Sequence, residues 1–183
     1  MIAAITVTKI EAARRQLRTA IELWFSDDDP ISIHTLAAAA HQIIHDLNRR
    51  NKGPDMMLDT KLVKDEFRKE FASEMKNAAN FLKHADRGKM GIAKVFEFNP
   101  ESNEHFIIFS IIGLRYLGEQ LSAEEIAFER WQMFKNPDLL TDAGKELFEQ
   151  NFTVEKLAVI RATPKHKFLE AFHLIVGQAK DSA

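Results

Sequence analysis

Apolar residues recur at three- and four-residue spacing through almost the whole chain, and that period commits it to helices rather than sheets. Ile10, Ala13, Leu17, Ala20, Ile21 and Trp24 make one stripe, with Arg14, Arg15 and Arg18 off it and predicted to face water. Ser26-Asp27-Asp28-Asp29-Pro30 closes this element, and Asp29-Pro30 reads as the N-cap and first residue of a second helix running to about Arg50. Four consecutive alanines, Ala37 to Ala40, favour that helix and let a neighbour approach closely.

Asn51-Lys52-Gly53-Pro54 breaks the second helix, and a third is predicted from about Leu62 to Ala85, ended by Asp86-Arg87-Gly88. Val95 to Phe98 alternates apolar and polar residues but is too short to make a sheet by itself. A fourth helix is predicted from Asn99-Pro100 to Gln120, with Phe106-Ile107-Ile108-Phe109 deeply buried. Ser122-Ala123-Glu124-Glu125 reads as a capping box opening a fifth, which Asn136-Pro137 ends near Lys135. Shorter helices are expected over about 141–150, 154–160 and 164–178. The expected fold class is therefore all-α: a bundle of four to five main helices over residues 1–151, with a helical C-terminal tail, 152–183, packed on it.

Composition narrows the function more than it identifies it. The 183 residues include no cysteine, which removes disulfides, thiolate nucleophiles and cysteine-based metal sites and fits a reducing compartment. No apolar run approaches the length of a membrane span, and the start lacks a basic segment before its apolar residues, so a cytoplasmic protein is expected. No Gly-rich phosphate loop and no nucleophile-elbow motif is present, and no cofactor is expected. Net charge is −2, but residues 61–94 hold nine Lys or Arg against five Asp or Glu, while residues 95–151 hold four against eleven. A basic stretch of that kind can face an anionic partner.

Histidines supply the first candidate chemistry. His34, His41 and His45 fall close to one line along the second helix at about 100° per residue. His41 and His45, four residues apart, can both ligate one metal ion, given further ligands from other helices; His34 lies nearly two turns away. A metal-dependent hydrolase using His41 and His45 is thus one reading, and a structural stripe is the other. Glu66, Glu70 and Glu74 also share a face but lack the Glu-x-x-His motif of a di-iron site and are expected to be solvated.

Asn80 and His84 supply the second. Four residues apart, they project from one face of the third helix, where neutral imidazole suits acid–base work and an amide can orient a phosphate or ribose. A helix bearing Asn-x-x-x-His, after long helices with an alanine-rich second element, resembles the HEPN superfamily of helical bundles over roughly residues 8–120. The motif of that family is an Arg, usually followed by a polar residue, with a His about four to six residues on. In active members it forms a metal-independent RNA-cleaving site across a dimer. Asn80 and His84 match the polar residue and the histidine, but Ala79 stands where the arginine would be. Arginine there would stabilise charge on a phosphate, and neither Lys76 nor Lys83 offers the same fork.

The resemblance implies a non-catalytic or degenerate module that binds RNA or a protein partner, with Lys76, Lys83 and Arg87 as binding residues. It also implies a homodimer with Asn80 and His84 in a cleft at its two-fold interface. The alternative it leaves is a metal-independent ribonuclease using His84 as acid or base with Asn80, in which Lys76 or Lys83 does the work of the missing arginine.

Overall fold

A computed structural model describes residues 4–59, 61, 63–84 and 95–181. Among them are eight α-helices and no strand: α1 (Lys9–Phe25), α2 (Pro30–Arg50), α3 (Asp65–Lys83), α4 (Ser102–Tyr116), α5 (Ala123–Lys135), α6 (Asp142–Asn151), α7 (Val154–Ala162) and α8 (Lys165–Asp181). The chain is all-α, as the spacing of its apolar residues requires. No helix among the described residues is long and apolar enough to cross a membrane.

The helix starts follow from local chemistry. The Asp29 carboxylate accepts from the backbone N–H of Ile31 and Ser32, and Pro30 occupies the first turn, where its missing N–H costs nothing. Ser122 and Glu125 close a complete capping box at the start of α5. Thr141 and Thr153 cap α6 and α7 in the same way, each hydroxyl accepting from a backbone N–H three residues on. Val95 to Phe98 forms neither helix nor strand.

By contacts the chain divides into two units: residues 1–24 with 28–120, and residues 25–27 with 121–183. The core of the first unit is built from Ala13, Leu17, Ala20 and Ile21 of α1, Ile33, Ala37, Ala40 and Ile44 of α2, Met56 and Met57 of the following turn, and Phe106, Ile107, Ile111 and Leu114 of α4. Each fully buried Leu, Ile or Phe contributes about 1.5–3 kcal/mol by leaving water. The stripe predicted for α1 is core from Ala13 to Trp24, with Ile10 half-buried, and of the four alanines of α2 all but half-buried Ala39 are core.

α2 and α4 pack in parallel at a fixed register. His34 meets Asn103, His41 meets Ser110, and the Ile44 methyl lies where a side chain on Gly113 would be. The sequence offset is 69 in each hydrogen-bonded pair, so both helices run the same way. A Cβ on Gly113 would come within 2.5 Å of Ile44 Cγ2 and of Met56 Cε. Glycine there permits the close approach that the alanine run of α2 permits from the other side.

The second unit is held by aromatic rings. Phe25 lies edge-on to Phe128 and Trp131 and stacks on Phe168, with centroid separations of 6.1 to 6.3 Å. Phe134 meets Phe148 and Phe152, each at 5.1 Å. Lys135 sits 4.6 Å from the centre of the Trp131 ring, a cation–π distance. No residue of α6 or α7 is buried.

Candidate functional site

Four polar side chains of α2 turn inward. His34, His41, His45 and Asn48 are all buried, on the face that meets α4 and the 51–59 turn. Burying four polar groups beside an apolar core is costly unless each finds partners. Each finds one, and in each the partner leaves a second atom bare.

His34 is 1% exposed, and its Nδ1 lies 2.9 Å from Asn103 Oδ1. The Asn103 amide donates through Nδ2 to Pro30 O at 2.9 Å, which turns its oxygen toward the imidazole. Ser102 Oγ, 3.5 Å from the same nitrogen, spends its proton on Asn99 O at 2.8 Å. Two oxygens that can only accept therefore face Nδ1, and the network assigns the proton to that nitrogen. Nε2 is left as a lone pair, buried and without a hydrogen-bond partner. Burial chiefly, and the nearby Lys83 charge, hold the His34 pKa below its ordinary value despite the opposing Asn103 bond.

The same reasoning fixes His41 and His45. Ser110 Oγ donates to Phe106 O at 2.6 Å and faces His41 Nδ1 at 3.4 Å, so His41 also carries its proton on Nδ1. Burial, with a smaller push from His45, lowers the His41 pKa to about 3, against a pull from Asp59. His45 donates from Nε2 to Asp59 Oδ1 at 3.0 Å, and the other Asp59 oxygen accepts from the Met56 N–H at 2.7 Å. The pKa of Asp59 is lowered: desolvation opposes the shift, and the Met56 and His45 bonds outweigh it. His41 Nε2 and His45 Nδ1 have no hydrogen-bond partner, although the latter is 3.5 Å from Asp46 Oδ1.

The ring centres of His41 and His45 are 6.4 Å apart, and no group of three His, Asp or Glu suited to a metal ion occurs among the described residues. What the structure supplies at this pair is two oriented imidazoles, with Asp59 behind one of them.

A cleft of about 440 Å³ opens above His34. Its apolar walls are Phe71, Met75 and Ala78 of α3, Phe106 of α4, and Phe96 and Phe98 from the irregular stretch before α4. Its polar edge carries Asn77, Glu97, Asn99, Ser102 and His105. Phe98 and Phe106 both stand edge-on to the His34 ring at 5.0 Å. A larger groove of about 790 Å³ in the second unit, between α6 and α7, contains no buried polar atom lacking a partner. The smaller cleft is the better candidate, because a buried, unsatisfied acceptor is what a ligand can use.

The motif residues of α3 lie near this cleft without lining it. Asn80 is exposed, and half-buried His84 caps the C-terminus of α3, its backbone N–H donating to Asn80 O at 3.0 Å. Ala79 is half-buried, and Lys83 is exposed. The side chain of Lys76 and the whole of Arg87 lie outside the described residues. From sequence, Asn103, Ser110 and Asp59 gave no sign of a role, yet they orient the three imidazoles. The seven-residue step from Asn103 to Ser110 on α4 matches the step from His34 to His41, but only the packing of α4 on α2 gives that match a meaning.

No protein-family description, no curated protein and no solved structure matches this chain.

Proposed function

We propose that the first unit is an HEPN-like, non-catalytic module that binds an unpaired stretch of RNA, with one base in the cleft above His34. The observation that carries this is the cleft's make-up: four phenylalanine rings around a space of about 440 Å³, with amide, hydroxyl and imidazole groups at its edge. Unpaired bases are held by stacking on aromatic side chains and by hydrogen bonds to their edges, the two kinds of group this cleft offers. Lys83, close enough to lower the His34 pKa, supplies a cation for the backbone. Binding rather than cleavage follows from Ala79, which leaves a developing phosphate charge without the arginine of the active motif.

The test is fluorescence anisotropy with a labelled single-stranded RNA at about 50 and 200 mM salt, where each phosphate contact steepens the salt dependence. Affinity should fall with salt, exceed that for the same sequence as a duplex, and drop in Phe96→Ala; the RNA should be recovered intact. Salt-independent or absent binding overturns the reading. Cleavage lost in His84→Ala would replace it with the ribonuclease reading.

A further inference from the structure

The tautomer of His34 says what a ligand in this cleft must bring. With Nδ1–H committed to Asn103 Oδ1 at 2.9 Å, Nε2 is a lone pair with no donor facing it. A lone pair in a water-excluded site is unsatisfied until a donor arrives, and an acceptor-only atom rejects a ligand that brings another acceptor. Phe98 stands edge-on over the ring, half-buried, on a stretch held in neither helix nor sheet. A flat ring is the shape that can lie against Phe98 and Phe106, the two rings that stand edge-on to His34 at 5.0 Å.

We propose that His34 Nε2 accepts a hydrogen bond from an N–H on the pairing edge of a nucleobase, so that the module selects bases by a donor at that edge. This rests on the RNA reading above and adds to it a chemical requirement that stacking alone does not impose. A second acceptor supports it. Asn77, on the cleft edge, donates from Nδ2 to Ser73 Oγ at 3.2 Å, so its amide oxygen is a second acceptor there.

The experiment compares a decamer of uridine with one of N3-methyluridine, which keeps charge, sugar and ring but has no ring N–H. A decamer of adenosine is set against one of N6,N6-dimethyladenosine in the same way. The unmodified member of at least one pair should bind roughly tenfold or more tightly, the cost of leaving a buried acceptor unpaired. In His34→Phe the difference within that pair should vanish, which separates a lost hydrogen bond from a methyl group that merely fits badly.

Imidazole nitrogen NMR on the unaltered protein gives a readout that does not depend on the variant folding. His34 Nε2 should show the shift of an unprotonated nitrogen and should move on adding the donor-bearing decamer but not its methylated partner. Equal affinity within both pairs, or a proton found on Nε2, overturns the assignment while leaving RNA binding intact. No binding by any of the four decamers overturns both.

Discussion

Acidification should unfold the first unit early, and His41 sets the size of the effect. In the fold its pKa is lowered to about 3, because burial excludes the water that would solvate imidazolium. In the unfolded chain it returns to about 6.5. The folded protein therefore refuses a proton that the unfolded chain accepts, and stability is lost as pH falls through 6.5 and goes on falling until about 3. Between pH 7 and pH 5 the loss from this one group is about 2 kcal/mol, and the full difference, reached near pH 3, is about 5 kcal/mol.

The charges within reach are His45 and Asp59. The first opposes protonation of His41, and Asp59, itself holding a lowered pKa, favours it. The assay is urea unfolding at each pH, followed through Trp24 in a Trp131→Phe background, since the chain's two tryptophans fall one in each unit. His41→Leu should shrink the drop between pH 7 and pH 5 by about 2 kcal/mol, leaving the part due to His34, whose pKa is lowered too. Equal drops in the two proteins would refute the reasoning.

Gly113→Ala should destabilise the first unit despite the better helix propensity of alanine. The new Cβ meets Ile44 Cγ2, which is branched and cannot yield, at 2.5 Å; overpacking of that kind costs about 1–3 kcal/mol against a gain of at most about 1, and a rise in the thermal midpoint would contradict it. Ser122→Ala should cost about 1 kcal/mol by opening the capping box of α5. The change is read from Trp131 fluorescence during unfolding, and an unshifted midpoint would show that the box is not holding the helix.

Helices were legible because their signals are local. The Asp29-Pro30 start of α2 and the Ser122–Glu125 box of α5 lie where four adjacent residues place them, and tertiary packing does not move them. The histidine row was legible as a row, since its spacing needs only the pitch of one helix. Its environment was not, because what decides it is Asn103 and Ser110, each 69 residues away, and Asp59, 14 residues away. α3 shows the same limit: Phe67, Phe71 and Met75 share one face by their four-residue spacing, yet Phe71 and Met75 line the cleft while Phe67 is 54% exposed. A period tells which residues share a face, and only the neighbour's sequence tells what that face meets.

Three of the unpartnered atoms on α2 have one thing in common. Asn48 donates from Nδ2 to Pro54 O at 2.7 Å, so its bare oxygen, like His34 Nε2 and His41 Nε2, is an acceptor. These three unsatisfied atoms are lone pairs, and this part of the buried face is short of protons. Acid can supply them, at the cost in stability worked out above for His41. A ligand that donates N–H can supply one to His34 without adding charge to the core. The two compete for the same lone pair at His34, and burial, by lowering its pKa, favours the ligand: it keeps that nitrogen free at a pH where an exposed imidazole would already be protonated. The burial that makes this helix face sensitive to acid is therefore also what keeps its one cleft-lining acceptor available to a neutral donor.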